Sequence, residues 1–261
     1  MMNNPSPRRE PEFKILRCDT PPSRENESEV ECNLCSLDPI CALLDYGSEK
    51  VELAKGVLFR RQRVARGETL FRSGDPFHSL FAVKSGSFIM LHKKEQHPDQ
   101  VAGFQFAGDL IGADGMAGEH YPCTVRALEP SSVCELRMAR LQQPGRSLEA
   151  FQRGIISILG QEIAFCHGLH ASLVRQNGEQ RLAAFFLSLS SRHRARGMPG
   201  SEFRLTMTRS DIASYLGLSR ETVTRGLSRL QKEGTVTVSG KRVRLERFDL
   251  LEGLAGNTSC A

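Results

Sequence analysis

Residues 208–234, TRSDIASYLGLSRETVTRGLSRLQKEG, contain the clearest local signals in the chain. Two short helical patterns flank the tight, glycine-containing turn Leu216–Leu218. Thr208, with Asp211 three residues later, can cap the first helix, and Ser219 can cap the second. The stretch therefore predicts two helices joined by a tight turn.

The residues that follow, 235–246 (TVTVSGKRVRLE), alternate polar and apolar side chains around Ser239-Gly240. This alternation predicts a β-hairpin. A hairpin placed directly after two helices and a tight turn is the arrangement of a winged helix-turn-helix, which binds DNA. The turn, the caps, the helices and the hairpin all agree on this prediction.

The second helix has a polar face near its start. Val223, Leu227 and Leu230 supply its buried face, and the polar positions lie where major-groove readers place their base contacts. Arginine can bond guanine through two hydrogen bonds, glutamate can accept one from cytosine, and a threonine methyl can contact thymine. An ordinary solvated helix face is the alternative. The residues predicted to contact DNA are Arg209, Ser219, Arg220, Glu221, Thr224 and Arg225.

The charge of the chain is unevenly distributed. The formal net charge is +5, yet residues 174–247 contain fifteen lysines and arginines against six acids, a local charge of +9. The remainder therefore carries −4. A basic C-terminal third on an otherwise acidic chain is the electrostatic pattern of a nucleic-acid-binding protein.

Length and composition limit the other possibilities. A chain of 261 residues with 39% apolar residues is long enough for two domains with real cores. Its N-terminus, MMNNPSPRREPEF, lacks the apolar region of a signal peptide, and no apolar run is long enough to span a membrane. We therefore predict a cytoplasmic protein. Motifs of phosphate binding, zinc proteolysis or nucleophilic catalysis are also missing, so we predict that it is not an enzyme.

Residues 31–41, ECNLCSLDPIC, hold three of the eight cysteines, Cys32, Cys35 and Cys41, in the spacing C-x2-C-x5-C. Thiolate is the ligand that iron–sulfur clusters and zinc prefer. Three thiolates are one short of a four-ligand shell, so a fourth has to come from elsewhere. Unmodified thiols remain an alternative, and the spacing alone does not separate zinc from iron. The candidates for the fourth ligand are Cys18, Cys123, Cys134, Cys166 and Cys260.

Two further regions have recognisable patterns. Residues 64–136 are short apolar runs broken by glycines, which predicts an antiparallel sandwich or barrel, and residues 51–59 read as a short helix. Residues 147–175 read as one helix with two apolar stripes. One stripe, including Phe151, Ile155 and Ile158, suits packing on its own domain, and the other suits a twin helix. A fully buried core helix is the alternative. The second stripe is Ile156, Leu159, Ile163, Cys166, His170 and Leu173.

In these motifs, the chain resembles the CRP/FNR family of transcription regulators, and within it the oxygen-responsive FNR branch. The likeness extends over nearly everything after residue 30 and is closest in GFQFAGDLIGADG, RALEPSSVCEL, EQRLAAFFLSLSSR and residues 202–234. It implies an α+β fold with an antiparallel β-roll like that of cyclic-nucleotide-binding domains, a long dimerisation helix and a winged helix-turn-helix. The expected division is a flexible leader 1–30, cysteine-rich segment 31–50, β-roll 51–146, dimerisation helix 147–175, DNA-binding domain 176–250 and tail 251–261.

The resemblance also implies a cofactor and a mechanism. Cys32, Cys35, Cys41 and Cys134 match the pattern that holds a [4Fe–4S] cluster, which favours iron over zinc and assigns the fourth sulfur. Without oxygen, a homodimer would bind palindromic TTGAT-like sites in double-stranded DNA, and would activate or repress transcription with RNA polymerase as its partner. Oxygen would degrade the cluster and separate the dimer.

Three positions depart from the family pattern. Thr224 stands where FNR-like proteins usually carry serine, between base-reading Glu221 and Arg225. Pro122-Cys123 stands near where cyclic-nucleotide-binding relatives carry an Arg-Ser pair, so no cyclic nucleotide is expected. Cys166 replaces an acidic residue that opposes pairing of the dimer helices. We therefore expect a weaker loss of dimer in oxygen than in a typical member.

Two other functions are alternatives to this prediction. A thiol- or zinc-based redox regulator would use the same scaffold without iron, and its content of inorganic sulfide would distinguish it. An iron–sulfur electron-transfer protein would need no DNA reader, so it conflicts with the winged helix-turn-helix pattern.

Overall fold

A computed structural model describes residues 29–36, 38, 58–94, 98–137, 152–160, 163–164 and 177–256. Its antiparallel sheets and separate helices confirm the predicted α+β class. The N-terminal strands form two four-stranded sheets in the orders β1-β8-β3-β6 and β2-β7-β4-β5. These strands are β1 Leu58–Val64, β2 Thr69–Phe71, β3 Ser79–Ser85, β4 Ser87–His92, β5 Gln100–Phe106, β6 Leu110–Ile111, β7 Thr124–Ala127 and β8 Ser131–Arg137.

The two sheets enclose an interior filled by side chains. Aliphatic and aromatic side chains share it, and the rings of Phe71 and Tyr121 stack with centroids 3.7 Å apart. Successive side chains of a strand point to opposite faces of its sheet. On β8, Val133 accordingly lies in this interior, whereas Leu136 lies on the outer face. The outer face of the first sheet thus carries an apolar cluster of its own.

One turn of the roll requires a glycine. Gly86 joins β3 to β4 with φ +84°, in the region that other residues rarely adopt. A Cβ built there would also lie 2.2 Å from the Ser131 hydroxyl oxygen. Both the backbone conformation and the lack of space for a Cβ therefore require glycine at this turn.

Residues 152–160 form a helix, α1, against the outer face of the first sheet. Ile155 and Ile158 are buried there beside Leu80 and Leu136. Ile156, one residue from Ile155, is 68% exposed. The described part of the predicted dimerisation helix is therefore two-sided, with one stripe covered by its own domain.

The C-terminal part holds four helices and a three-stranded sheet in the order β10-β11-β9. Hydrogen bonding of β9 to β11 enlarges the predicted hairpin to three strands. No sequence pattern predicts β9, because three residues are too few to show alternation. The elements are α2 Gly178–Ala195, β9 Glu202–Arg204, α3 Arg209–Leu216, α4 Arg220–Lys232, β10 Val236–Ser239, β11 Arg242–Leu245 and α5 Phe248–Leu254.

Three predicted boundaries need correction. The helix predicted for residues 51–59 is wrong at its end, since β1 begins at Leu58 and pairs with β8. The tail predicted from residue 251 begins later, because Leu251 is fully buried in the core and α5 continues to Leu254. At the other terminus, Val30 is buried, and its amide donates to the Lys84 carbonyl oxygen, so the predicted leader ends before it.

The DNA-binding domain docks on the second sheet of the roll. Buried side chains of β4, β5, α2 and α3 form one continuous apolar core. The Phe104 ring lies edge-on to Tyr215 of α3 at 5.2 Å, and the Ser214 hydroxyl accepts from the Val101 amide at 3.1 Å. Ser87 and Thr206 add a buried hydroxyl pair at 2.7 Å. Movement of the domain therefore has to break apolar contacts with the roll.

Among the described residues, no helix has the length and apolar character needed to cross a bilayer.

Candidate nucleic-acid interface and cysteine site

Local hydrogen bonds fix the two helices of the DNA-binding unit, as the sequence predicts. The Thr208 hydroxyl accepts from the Asp211 amide at 3.1 Å, and the Asp211 carboxylate accepts from the Thr208 amide at 2.8 Å. Ser219 caps the next helix by accepting from the Thr222 amide at 3.1 Å. Between them, Gly217 has φ +64°. These contacts set the start and the direction of α4.

Close packing seats α4 on α2. A Cβ at Gly226 would lie 3.0 Å from a Leu182 methyl group, so glycine allows the two helices to approach. Arg229 donates to both carboxylate oxygens of Glu179 at 2.9 Å and to Glu233 at 2.9 Å. The buried side of α4 is Val223, Leu227 and Leu230, as predicted.

The opposite side of α4 faces solvent. Arg220, Glu221 and Arg225 are exposed, and Thr224 is partly covered. The backbone amide of Glu221 itself, followed by the Ser219 hydroxyl, lowers the pKa of the Glu221 carboxyl. The ionised carboxylate is therefore an acceptor suited to a cytosine amine. The Thr224 hydroxyl donates to the Arg220 carbonyl at 2.9 Å, which leaves its methyl group for a base contact.

Ion pairing separates the arginines of this domain into two groups. Arg229, Arg242 and Arg247 each lie within 3.2 Å of a carboxylate. No such pair involves Arg209 or Arg225 within the residues that the structure describes, and both are exposed together with Ser219. These two arginines can therefore approach DNA without first breaking an ion pair with a carboxylate.

The hairpin after α4 is built from a two-residue connection. Ser239 pairs with Arg242, so Gly240 and Lys241 form the turn, with φ +61° at Gly240. The turn lies one residue later than the Ser239-Gly240 position at which the sequence pattern centres. Lys241 and Arg242 are exposed at its tip, where a wing can contact the DNA backbone.

The described part of the cysteine segment lies against the roll. A short 3-10 turn spans Cys32–Leu34, and the Ser36 amide donates to the Gly108 carbonyl oxygen at 2.9 Å. Cys35 is partly buried and packs against the apolar cluster on the outer face of the first sheet. Cys35, a predicted ligand, therefore lies against the same outer face of the first sheet that α1 covers.

Cys134 lies on β8, directly opposite Ala82 of β3 and Arg61 of β1. Alternation along β8 puts its side chain on the same outer face as Leu136. It is partly exposed. Cys35 and Cys134, about a hundred residues apart in the sequence, therefore belong to one face of one sheet.

Cys123 is placed differently. It is fully buried in the roll interior, and its thiol donates to the Asp114 carboxylate at 3.3 Å. Burial first, and then the negative charge of Asp114, raises the pKa of the Cys123 thiol far above its ordinary value. A protonated thiol inside the roll is a poor metal ligand, so Cys123 does not belong to the outer cysteine site.

The remaining predicted residues have unequal coverage. In the described part of the chain, no three His, Cys, Asp or Glu side chains converge on one point. Cys41, Cys166, His170, Leu173 and the side chain of Cys32 lie outside it, as do Cys18 and Cys260. Of the predicted dimer stripe, Ile156 is 68% and Ile163 is 55% exposed, while Leu159 is partly covered.

A junction at the end of α2 involves residues that no sequence motif indicates. Arg192 donates to the Phe104 carbonyl oxygen at 2.9 Å and to Gln105 at 2.8 Å, and it also pairs with Asp109. Arg196 donates to the Leu34 carbonyl oxygen at 2.8 Å. The only sequence signal was two arginines four residues apart, which places them on one side of a helix.

Comparison with known proteins agrees with this architecture. A model of the Crp-like helix-turn-helix domain matches residues 180–254, and a model of the cyclic nucleotide-binding domain matches residues 61–144. The fumarate and nitrate reduction regulatory proteins of Escherichia coli K12 and Salmonella typhimurium are each 37% identical over 229 residues, covering 88% of this chain and 92% of theirs. The chain belongs to the FNR family of CRP/FNR transcription regulators.

This membership confirms the predicted function class, an oxygen-responsive DNA-binding transcription regulator. These relatives are regulatory proteins, which is a non-enzymatic role. Among solved structures, FixK2 of Bradyrhizobium japonicum aligns with a TM-score of 0.67 over 76% of this chain and 97% of its own, at 23% identity. That likeness supports the fold.

Proposed function

We propose that this FNR-type regulator responds to oxygen through a [4Fe–4S] cluster held by Cys32, Cys35, Cys41 and Cys134. The observation that carries the proposal is the position of Cys35 against the outer face of the first sheet, the face to which Cys134 belongs. Thiolates that meet on one face are the donor set that iron–sulfur clusters use. When bound, the cluster would supply an oxygen-labile redox centre.

The strand pairing supports Cys134 as the fourth ligand. Arg61 is the direct cross-strand neighbour of Cys134 on β1, so its guanidinium and the thiol leave the sheet on the same face. Glu29, three residues before Cys32, pairs with Arg61. The burial and the raised pKa of Cys123 argue against that thiol as the fourth ligand.

The outer face of the first sheet also offers a route from the cysteines to the dimer. Ile155 and Ile158 of α1 pack on the apolar cluster that Cys35 contacts. The neighbouring Ile156 and Ile163 point away and are exposed. We expect them to pair with a second copy, together with Leu159, Cys166, His170 and Leu173. A change at the cysteines would then shift the outer face of the first sheet, against which the dimer helix packs. That shift would favour one of two states of the dimer interface.

The regulator would act by binding and not by catalysis. In the dimer, two copies of α4 would enter successive major grooves about one helical turn apart. Glu221, Thr224 and Arg225 would read bases of a TTGAT-like half-site, and Arg209, Ser219 and Arg220 would contact its edges or backbone. RNA polymerase would be the protein partner, and the roll would bind no cyclic nucleotide because Pro122-Cys123 stands near where cyclic-nucleotide-binding relatives carry an Arg-Ser pair.

The test is anaerobic purification followed by iron and acid-labile sulfide assays, with absorbance spectra before and after exposure to air. About four irons and four sulfides per chain, with a visible band that bleaches in air, are expected for a [4Fe–4S] protein. Zinc, or no metal with an unchanged spectrum, would contradict the cluster and favour a thiol- or zinc-based regulator on the same scaffold.

A further inference from the structure

Arg196, which follows the last residue of α2, reaches from the DNA-binding domain to the cysteine segment. One terminal nitrogen donates to the Leu34 carbonyl oxygen at 2.8 Å, and the other donates to the Ser36 hydroxyl at 3.0 Å. These two groups flank Cys35 in the sequence. The same guanidinium lies 3.6 Å from the Asp109 carboxylate of the roll. One side chain therefore contacts two parts of the chain, residues 34–36 and Asp109, that are far from each other and from Arg196 in sequence.

Two glycines make the space for this contact. A Cβ at Gly108, where φ is +91°, would lie 2.5 Å from Cδ and Nε of Arg196. A Cβ at Gly197, where φ is +70°, would lie 2.9 Å from a Leu34 methyl group. The Ser36 amide and hydroxyl both donate to the Gly108 carbonyl oxygen. The close approach is thus built into the backbone on both sides of Arg196.

Arg192, one helical turn earlier, links the same junction to the docking surface of the DNA-binding domain. Its guanidinium lies 5.0 Å from the centre of the Phe106 ring and pairs with Asp109. Asp109 also accepts from the Phe106 amide at 2.8 Å. Because Asp109 faces both arginines, a change in the position of Arg196 alters the charge that Arg192 experiences and the hold of α2 on β5.

From this geometry we propose that Arg196 is a positioning residue that couples the cysteine segment to the docking of the DNA-binding domain on the roll. The inference rests on the proposed function, since it takes Cys35 as a ligand. It adds a second route of coupling, which lies within one chain and is separate from the dimer interface. We call the contacts of Arg196 with Leu34, Ser36 and Asp109 the arginine latch.

The direction of the coupling follows from conformational entropy. When its thiolate is ligated, Cys35 fixes the flanking groups of Leu34 and Ser36, so Arg196 binds acceptors that are already in position. When Cys35 is not held, closing the latch has to order the segment as well, which costs conformational entropy. The latch therefore closes more tightly in the ligated protein, and by reciprocity the latch holds the cysteine segment in its binding position.

The experiment compares full-length wild type with Arg196→Gln and Arg196→Lys, each in iron-containing and metal-free form. Arg194→Gln is the matched control, because Arg194 lies on the same helix but rests on the Phe248 ring. Hydrogen exchange at residues 34–36 and 104–109 and affinity for a palindromic TTGAT-type duplex are measured. In Arg196→Gln, Ser36 amide exchange should be about fivefold faster or more, and the ratio of DNA affinities between the two forms should change by about fivefold.

The lysine variant separates charge from geometry. It keeps a cation near Asp109 but lacks the fork that binds two acceptors, so exchange should increase at residues 34–36 more than at 104–109. Should Arg196→Gln fail to fold, Ser36→Ala removes one of the two acceptors that Arg196 finds in the cysteine segment, together with the Ser36 hydroxyl bond to Gly108, and should also give faster exchange at Leu34 and Cys35.

Three outcomes are decisive. If Arg196→Gln retains wild-type iron content, and its exchange and its affinity ratio stay within about twofold of wild type, the coupling is overturned while the cluster stands. If Arg194→Gln changes both quantities as much as Arg196→Gln does, a general charge effect replaces the latch. If wild type binds neither iron nor sulfide, the proposed function fails, and the inference falls with it.

Discussion

The DNA-reading end and the cysteine end of this molecule are built in opposite ways. At the DNA-reading end, Thr208 bonds Asp211 and Ser219 bonds Thr222, and the hairpin pairs residues only a few positions apart. At the cysteine end, strand alternation places Cys134 on the outer face of the first sheet, and Cys35, from a distant segment, packs against the apolar cluster of that face. Structure that depends on nearby residues can be predicted from one stretch of sequence, whereas the cysteine site depends on the pairing of distant strands in the sheet.

The largest expected effect tests the non-local end. Cys134→Ser should abolish both cluster assembly and anaerobic DNA binding, because a hydroxyl is a poor ligand for iron in a thiolate-bound cluster. Iron, sulfide and DNA retention would be measured on the same preparation. Cys123→Ser is the control, since it keeps a donor for Asp114 inside the roll and should retain iron. Full activity of Cys134→Ser would mean that the fourth ligand is misassigned.

A second pair of variants tests a part of the DNA-reading end that local signals missed. Leu251 is fully buried, whereas its neighbour Leu250 is 44% exposed. Leu251→Ala should lower the free energy of unfolding by about 2–5 kcal/mol, and Leu250→Ala should stay within about 0.5 kcal/mol of wild type. Chemical denaturation of both variants measures this difference. Equal effects would contradict the assignment of α5 to the core of this domain.

The base-reading prediction has a smaller expected effect. Arg225→Ala should cost about 1–3 kcal/mol of discrimination at one base position of the half-site. Titrations with duplexes substituted at each position would show it. Arg229→Ala removes an arginine from the same helix, but that side chain is paired with Glu179 and Glu233. It should leave the order of preference among duplexes unchanged; a shared loss of specificity would argue against base reading by Arg225.

The smallest effect concerns pH at the surface where the two ends meet. His193 packs on Phe106 and Phe203, and burial is the main cause that lowers its pKa below 6.5 in the folded protein. The unfolded chain therefore takes up a proton first as pH falls, so this contribution to stability is intact above about pH 6.5 and is lost below it.

Thermal unfolding at pH 7.5 and at pH 5.5 would measure this loss. In His193→Gln, which has no titrating ring, the difference between the two pH values should be smaller than in wild type. An identical difference in both proteins would assign the pH dependence to other groups.

Sequence alone predicted most of the DNA-reading end, because caps, turn and hairpin are written within a few residues of one another. The roll was predicted only as a class of many short strands; its pairing depends on contacts between distant strands, such as β1 with β8. Position within the roll also separates Cys123 from Cys134, which spacing could not do. The partners of the arginine latch could not be predicted from the spacing of Arg192 and Arg196, since they are a carbonyl oxygen, a serine hydroxyl and a shared aspartate. The assigned cysteine, base-reading and dimer residues stay predictions.

Adjacent residues of α1 serve different neighbours. Ile155 is buried against the roll, and Ile156, about 100° further around the helix, is 68% exposed. A rotation of this helix about its axis that buries one of these residues further also moves the other, so the two faces of the helix cannot be adjusted independently. A small rotation caused by a change in the roll would then alter the shape of the exposed face that a second chain contacts, even though the helix itself stays the same length.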